Sequence, residues 1–300
     1  MERTRVAAGF LAAAFFVAVP FAPARAAGTA PKHRVRDNAQ WALNFNQGND
    51  AVQSNNLTLA EIKFKAALKV AEAMERDDPK GVAVTLWSLA NVELALREES
   101  AAESHFSRSL ALEEKAEDSD EQQMAEHFRA VGNFYMQQQK YAKARVVYDR
   151  AVDHAKAAQE QLGHDPDYRD MAANHMALAT ATLKSGDYAA AEPVFEKAKA
   201  IYEKVPGGIE NDEDRRFILR ALLGEADSYA GMKKFDTAEP IYQRVLALDE
   251  KAFGKKDPKL ADACDAYAKM LRAAKRVDEA KKIEAKAKDA RTPEKAPFQP

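Results

Sequence analysis

Three asparagines recur at a fixed spacing in the first half of the chain, and they are its clearest candidates for a binding function. Asn49, Asn91 and Asn133 follow one another at intervals of 42 residues. An amide side chain donates and accepts hydrogen bonds, so it can hold the backbone N–H and C=O groups of an extended peptide. The spacing therefore predicts a row of peptide-binding groups, if a repeated element places them on one surface. Capping or cross-linking of neighbouring helices is the alternative role for these amides.

Catalytic and metal-binding residues show no comparable pattern. The chain has six histidines and one cysteine, but no HExxH, GxSxG or glycine-rich phosphate loop. We expect His175 to pack in a helical core and the segment 164–167 (HDPD) to cap a helix. Cys264 is expected to be a small buried residue. The sequence therefore predicts no catalytic residue, no metal and no cofactor.

Repeated helical hairpins are the elements that would position the asparagines. An alanine, here called the anchor, recurs six times at intervals of 42, 42, 47, 47 and 42 residues: Ala60, Ala102, Ala144, Ala191, Ala238 and Ala280. An aromatic residue follows four positions after each of the first five anchors, and Gly or Ala stands twelve positions before all six. An i, i+4 spacing forms one stripe of a helix. Each unit is therefore predicted to contain two helices, A and B, with the smallest residues where the helices approach most closely.

This pattern resembles the tetratricopeptide repeat (TPR), and the length of the units is similar to the extended repeats of kinesin light chain. Pro166 and Pro258 fit the first turn of an A helix in such repeats. The resemblance implies an all-α fold, an α-solenoid (superhelix) of about six TPR-like helix-turn-helix repeats over residues 40–290. It also implies a concave groove, lined by the A helices, that binds a peptide or protein segment.

Six residues are predicted to contact that segment. The three asparagines, each eleven positions before an anchor, would hold its backbone, and Phe45 and Trp87 would supply apolar contacts. Arg129 is the next residue in the series of Phe45 and Trp87. Burial of Trp87 in the core is the alternative for that side chain. Arg129 with Asn133 also resembles half of the carboxylate clamp of some TPR domains, but Phe45 and Trp87 stand where that clamp needs cations.

The first 26 residues have the layout of a secretory signal peptide. Two arginines precede an apolar run that is interrupted by Pro20, and the segment closes on Ala-Arg-Ala at 24–26. An uncleaved membrane anchor is the alternative, although the run is short for a membrane span. We expect cleavage after residue 26, a periplasmic or secreted protein, and no membrane insertion of the mature chain. Residues 27–39 are predicted to be a flexible segment, and 291–300, with three prolines, a disordered tail.

Composition narrows the function further. The 45 Lys and Arg residues balance 47 Asp and Glu residues, which argues against nucleic acid as the ligand. A single cysteine permits no intramolecular disulfide, so packing must stabilise the fold. The predicted function is a non-catalytic interaction module or scaffold that binds a protein or peptide partner. The alternatives are a structural subunit of an envelope assembly, joined through its convex face or edges, and, least favoured, a cell-wall-active enzyme.

Overall fold

The computed structural model describes residues 32–73, 79–116, 120–162, 167–205 and 211–292. These ranges contain twelve α-helices and no β-strand. None of the helices in the described ranges is both long and apolar enough to cross a membrane. The predicted signal peptide, residues 1–26, lies outside the described residues. The helices are α1 (Lys32–Gln53), α2 (Leu57–Glu72), α3 (Pro79–Ala95), α4 (Glu99–Glu113), α5 (Glu121–Gln137), α6 (Tyr141–Leu162), α7 (Tyr168–Lys184), α8 (Tyr188–Tyr202), α9 (Asp212–Gly231), α10 (Phe235–Phe253), α11 (Pro258–Ala273) and α12 (Val277–Ala290).

The chain divides into two compact units, residues 1–119 and 120–300. The first unit contains the hairpins α1–α2 and α3–α4, and the second contains α5–α6, α7–α8, α9–α10 and α11–α12. The first helix of each hairpin is helix A and the second is helix B. Within each unit the B helix of one hairpin packs against the A helix of the next.

The ends of the helical region differ slightly from the sequence-based boundaries. Helix α1 begins at Lys32, whereas the solenoid was predicted from residue 40 and a flexible segment before it. No Gly or Pro interrupts residues 32–47, so nothing in this stretch stops the helix from extending. Helix α12 ends at Ala290, and Arg291, within the predicted tail, caps it and pairs with Asp265 at 2.5 Å. Residues 293–300 lie outside the described part of the chain.

The anchor alanines lie in the core, as predicted. All six have no exposed surface, and the aromatic residues that follow four positions later are also buried. Opposite them on the A helices stand the predicted small residues. A Cβ atom placed on Gly132 would lie 2.4 Å from Cε1 of Tyr148, and one on Gly48 would lie 2.6 Å from Cε1 of Phe64. Glycine thus allows α1 and α5 to approach the aromatic rings of their partner helices.

All six hairpins use the same turn between their helices. The residue five positions before each anchor has a positive φ angle, between 57° and 89°, and only one of these residues is glycine: Asn55, Arg97, Gln139, Gly186, Lys233 and Lys275. The following N–H donates to the carbonyl five residues back, as in Lys140 to Tyr135 at 2.9 Å. This bond is the signature of a Schellman motif. Packing of the two helices therefore imposes left-handed backbone on five residues that carry side chains.

Two expectations about individual side chains are confirmed. His175 is buried in α7, where its Nδ1 atom lies 2.9 Å from the carbonyl oxygen of Met171. Burial lowers the pKa of His175, which favours the neutral ring of a packed core residue. Cys264 is fully buried in α11.

Candidate functional site

Phe45 and Trp87, predicted to supply apolar contacts to a ligand, pack inside their own hairpins. Phe45 is only 9% exposed, stacks on Trp41 at a centroid distance of 5.1 Å and tilts against Phe64 at 5.5 Å. The prediction of a ligand contact for Phe45 is therefore corrected: the ring belongs to the core. Half-buried Trp87 lies edge-on to Phe106 at 5.0 Å. Both rings pack on the aromatic residue of helix B, because a residue fifteen positions before the anchor still lies on the side of helix A that faces helix B.

Asn91 and Asn133, each eleven positions before an anchor, make hydrogen bonds within their own repeat. Asn91 donates through Nδ2 to the carbonyl of Trp87 at 2.8 Å, whereas the Oδ1 atom of exposed Asn133 accepts from the Tyr148 hydroxyl at 2.7 Å. Tyr242 donates to Asp227 in the same way at 2.5 Å. Asn49 is half-buried in α1. Asn49 and Asn91 belong to the first unit and Asn133 to the second, so a continuous row of three amides stays a prediction.

A groove of about 710 Å³ crosses the A helices of the second unit, α5, α7 and α9. Arg129 and Asn133 line it from α5, so two of the six predicted residues lie together in one cavity. The other four belong to the first unit. Tyr148 and Tyr202 reach the groove from the B helices behind it. Burial raises the pKa of Tyr148 to about 12, so its hydroxyl remains protonated and continues to hold Asn133.

The apolar part of the groove was largely missed by the sequence interpretation. Ala173 and Ala177 lie in the middle, on α7, and the larger side chains around them are Met136, Met176 and Phe217. Two alanines one helical turn apart leave an open space between larger neighbours. Methionine adapts its shape to what it contacts. This part of the groove therefore suits an apolar side chain of a ligand.

Arginine–aspartate pairs connect the neighbouring A helices along the groove. Arg129 of α5 pairs with Asp170 of α7, and Arg169 of α7 pairs with Asp214 of α9. Asp214 has no exposed surface and also accepts from the Tyr202 hydroxyl at 2.6 Å. The hydrogen bonds from Arg169 and then from Tyr202 lower the pKa of Asp214 to about 2. Sequence spacing contained a signal for such pairs, because Arg169 and Arg216 both stand 22 positions before an anchor.

The remaining charged groups place negative charge at one edge of the groove and positive charge at the other. Asp167 and Glu213 lie at the N-terminal ends of α7 and α9, and Arg220 lies about two turns further along α9. The guanidinium of exposed Arg220 lies 5.8 Å from the centroid of the Phe217 ring, and no carboxylate of the described residues pairs with it. The groove thus offers a cation beside its apolar floor, with acidic groups at the other edge.

One acidic cluster in the first unit has the spacing of a possible metal site. Carboxylate oxygens of Glu61, Glu93 and Glu98 lie within 4.8 Å of one another. Lys65 bonds to Glu61, and buried Glu93 lies 2.7 Å from Nδ1 of His105. Burial raises the pKa of Glu93 despite that partner. Lys65 and His105 already bond to two of these carboxylates, so the arrangement is accounted for by local side-chain bonds.

Comparison with protein families identifies the repeats in the second unit. Family models of the tetratricopeptide repeat match residues 176–211 and 217–292. These segments are similar to tetratricopeptide repeats. The TPR segments include Met176 and Phe217, so part of the groove floor lies in repeats recognised from sequence. No curated protein matches the chain at a significant level.

Solved structures of similar fold agree with this result. BtubC (BKLC) from P. vanneervenii matches 81% of this chain and 97% of its own, with a TM-score of 0.52 and 16% identity. RapI in its apo form matches 84% of this chain and 97% of its own, with a TM-score of 0.53 and 13% identity. The TPR-like repeats of a putative kinesin light chain from Podosopora anserina match 74% of this chain and 99% of their own, with a TM-score of 0.51 and 16% identity. At these identities the likeness concerns the fold, and the predicted class, an all-α solenoid of about six TPR-like repeats, is confirmed.

Proposed function

We propose that the chain is a non-catalytic interaction module that binds an extended segment of a protein partner in the groove across α5, α7 and α9. The observation that supports this function is the combination of an open apolar floor with polar side chains above it. Ala173 and Ala177 leave space for an apolar side chain of the segment, and Met176 and Phe217 flank it. A large apolar side chain of the segment would fill the space that the two small alanine side chains leave open.

The dimensions of TPR hairpins suit such a segment. Neighbouring helices lie about 8–10 Å apart, and an extended chain advances about 3.3 Å per residue. A segment that crosses from α5 to α9 would therefore use about six residues. The Nδ2 group of Asn133 would donate to a backbone carbonyl, since its Oδ1 atom is held by Tyr148. Arg220 would pair with a carboxylate of the segment.

Export of the protein is part of the proposal. It is supported by the signal-like residues 1–26 and by a chain with one cysteine, buried in α11, that needs no disulfide. The mature protein would act in the periplasm or outside the cell. N-terminal sequencing of protein recovered from those fractions should give a start near residue 27, and a start at Met1 would refute cleavage.

The groove is tested by cross-linking followed by direct binding. A photoreactive amino acid at Ala177 should attach to one contiguous segment of a partner, whereas the same group at exposed Leu248 on α10 should not. A synthetic peptide of the cross-linked segment then serves as the probe in titrations with the mature chain. Cross-links that favour Leu248, or that scatter over unrelated segments, would refute binding in this groove.

Asn133→Asp provides the matched variant for those titrations. Aspartate keeps the oxygen that accepts from Tyr148, as Asp227 does for Tyr242, but removes the amide donor. Loss of one hydrogen bond of about 1–1.5 kcal/mol should weaken peptide binding roughly tenfold. The melting temperature should remain nearly unchanged. Unchanged affinity would exclude Asn133 from recognition.

A further inference from the structure

Two successive joints between hairpins of the second unit are built on the same plan. In the first joint, Arg169 of α7 pairs with Asp214 of α9, and the hydroxyl of Tyr202 in α8 donates to Asp214 at 2.6 Å. The group contains one guanidinium, one carboxylate and one neutral donor. Its charges balance, and the carboxylate is completely buried.

The next joint replaces the tyrosine by a carboxyl group. Arg216 of α9 donates to both oxygens of Asp257, at 2.8 and 3.1 Å, and Asp257 caps α11. Asp249 of α10 stands eleven positions after Ala238, where Tyr202 stands eleven positions after Ala191. Asp249 is 2% exposed and Asp257 is 7% exposed. The two carboxyl groups interact with each other, and the Oδ1 atom of Asp249 has no hydrogen-bond partner among the described residues.

We propose that Asp249 is a proton-controlled latch between the last two hairpins: protonated, it donates to Asp257 as Tyr202 donates to Asp214, and ionised, it weakens the joint. A hydrogen bond between two carboxyl groups requires a proton on one of them. With Asp249 neutral, the charges of Arg216 and Asp257 balance. With Asp249 ionised, two buried carboxylates face one guanidinium, and the uncompensated charge opposes packing.

The groups around Asp249 agree with this role. Burial, followed by the hydrogen bond to Asp257, raises the pKa of Asp249 to about 7, and Arg216 from α9 only partly opposes the rise. Burial also raises the pKa of Asp257, but the hydrogen bonds from Arg216 and Asp249 outweigh it, so that carboxylate stays ionised. From α11, burial raises the pKa of the Cys264 thiol to about 11, which keeps it neutral beside these carboxyl groups. Lys286 of α12 pairs with the neighbouring Glu250 at 2.6 Å.

The sign of the effect on stability follows from the raised pKa. A carboxyl group whose pKa is higher in the folded state than in the unfolded chain stabilises the fold while it is protonated. That contribution is complete below the ordinary value of 3.8 and is lost as the pH rises through about 7. Between pH 5 and 8 the joint of α10 with α11 should therefore loosen.

Asp249→Asn tests the latch, because the amide donates to Asp257 at every pH. The unfolding equilibrium constant of the mature chain should rise between pH 5 and 8 by at least about tenfold more than that of the variant. Taking this difference cancels the opposite slope from His175, whose pKa is lowered by burial. Hydrogen exchange in α11, corrected for the intrinsic rate, should speed up at pH 8 in the unmodified chain only. Parallel pH profiles of the two proteins would overturn the proposal.

Two further measurements keep the test independent of how the variant folds. Tyr202→Phe removes the donor from the neighbouring joint and should lower stability equally at pH 5 and pH 8. A ¹³C NMR titration of the unmodified mature chain should show the Asp249 carboxyl ionising near pH 7. A midpoint below pH 5 for that carboxyl would refute the latch, whatever the variants do.

Discussion

Replacing Gly132 by alanine tests the closest approach of two helices in the second unit. A Cβ atom at this position would lie 2.4, 2.6 and 2.7 Å from three carbons of the Tyr148 ring. These distances are about 1 Å shorter than ordinary contacts between carbon atoms. The ring is 2% exposed and its hydroxyl is bonded to Asn133, so it has no free space to turn into. Helices α5 and α6 would have to separate.

Two opposing effects decide whether Gly132→Ala raises or lowers the free energy of unfolding. Alanine favours a helix over glycine by about 1 kcal/mol. Overpacking costs about 1–3 kcal/mol, and a displaced tyrosine loses a hydrogen bond worth about 0.5–1.5 kcal/mol. We therefore expect Gly132→Ala to lower the free energy of unfolding by about 1–3 kcal/mol. The fifth hairpin holds a buried alanine, Ala226, at the equivalent position, so the cost at Gly132 depends on the local spacing of α5 and α6.

Urea unfolding followed by far-ultraviolet circular dichroism measures this change. Gly132→Ala combined with Tyr148→Leu is the rescue variant, because leucine removes the ring carbons that the new methyl group meets. The double variant should be more stable than the sum of the two single changes predicts. If Gly132→Ala alone stabilised the protein by about 1 kcal/mol, helix propensity would dominate and the close approach of α5 to Tyr148 would be wrong.

Two further predictions concern the turns and the groove. Lys233→Gly should stabilise the protein by about 0.5–1 kcal/mol in the same urea assay, because glycine adopts its positive φ angle without strain. Gly186→Ala should destabilise the protein by a similar amount, and a change of the same sign at both sites would contradict the strained turn. Asp214→Asn should reduce stability at pH 7 and flatten its decline in acid. Arg169 and Tyr202 lower the pKa of Asp214 from 3.8 to about 2, so its contribution is present above pH 3.8 and is lost as the pH falls toward 2. Thermal melts from pH 2 to 7 would show it, and an unchanged acid decline would refute it.

The sequence predicted the hairpins because their packing recurs. Six equivalent alanines, each fully buried, needed no long-range information beyond the repeat itself. The turns were a different case: five of the six left-handed residues are not glycine, so composition gave no signal for them. Helix packing fixes that backbone, and local preference does not reveal it.

The candidate site was predicted less completely. Arg129 and Asn133 lie in the groove, but Phe45 was assigned to a surface and lies in the core. The angular position of Phe45 on α1 is close to the boundary between the two faces, and the repeat pattern alone does not resolve it. The pairing of Arg169 with Asp214 joins residues 45 positions apart on different hairpins. The recurrence of arginine 22 positions before two anchors marks one partner of such pairs, but the aspartate it meets depends on how the hairpins stack.

The hydroxyl of Tyr148 has a consequence for how this surface can diversify. In two hairpins whose helix B carries phenylalanine, the residue eleven positions before the anchor bonds to its own helix: Asn91 to the Trp87 carbonyl at 2.8 Å and Thr180 to the Met176 carbonyl at 2.7 Å. Where helix B carries tyrosine, that residue accepts a hydrogen bond from the phenol, as Asn133 does from Tyr148 and Asp227 from Tyr242. The hydroxyl oxygen of a tyrosine on helix B thus sets the orientation of a side chain on the exposed face of helix A. Exchange of tyrosine for phenylalanine in helix B would therefore change the polar atoms that this surface presents, without any change in the A-helix residue that carries them.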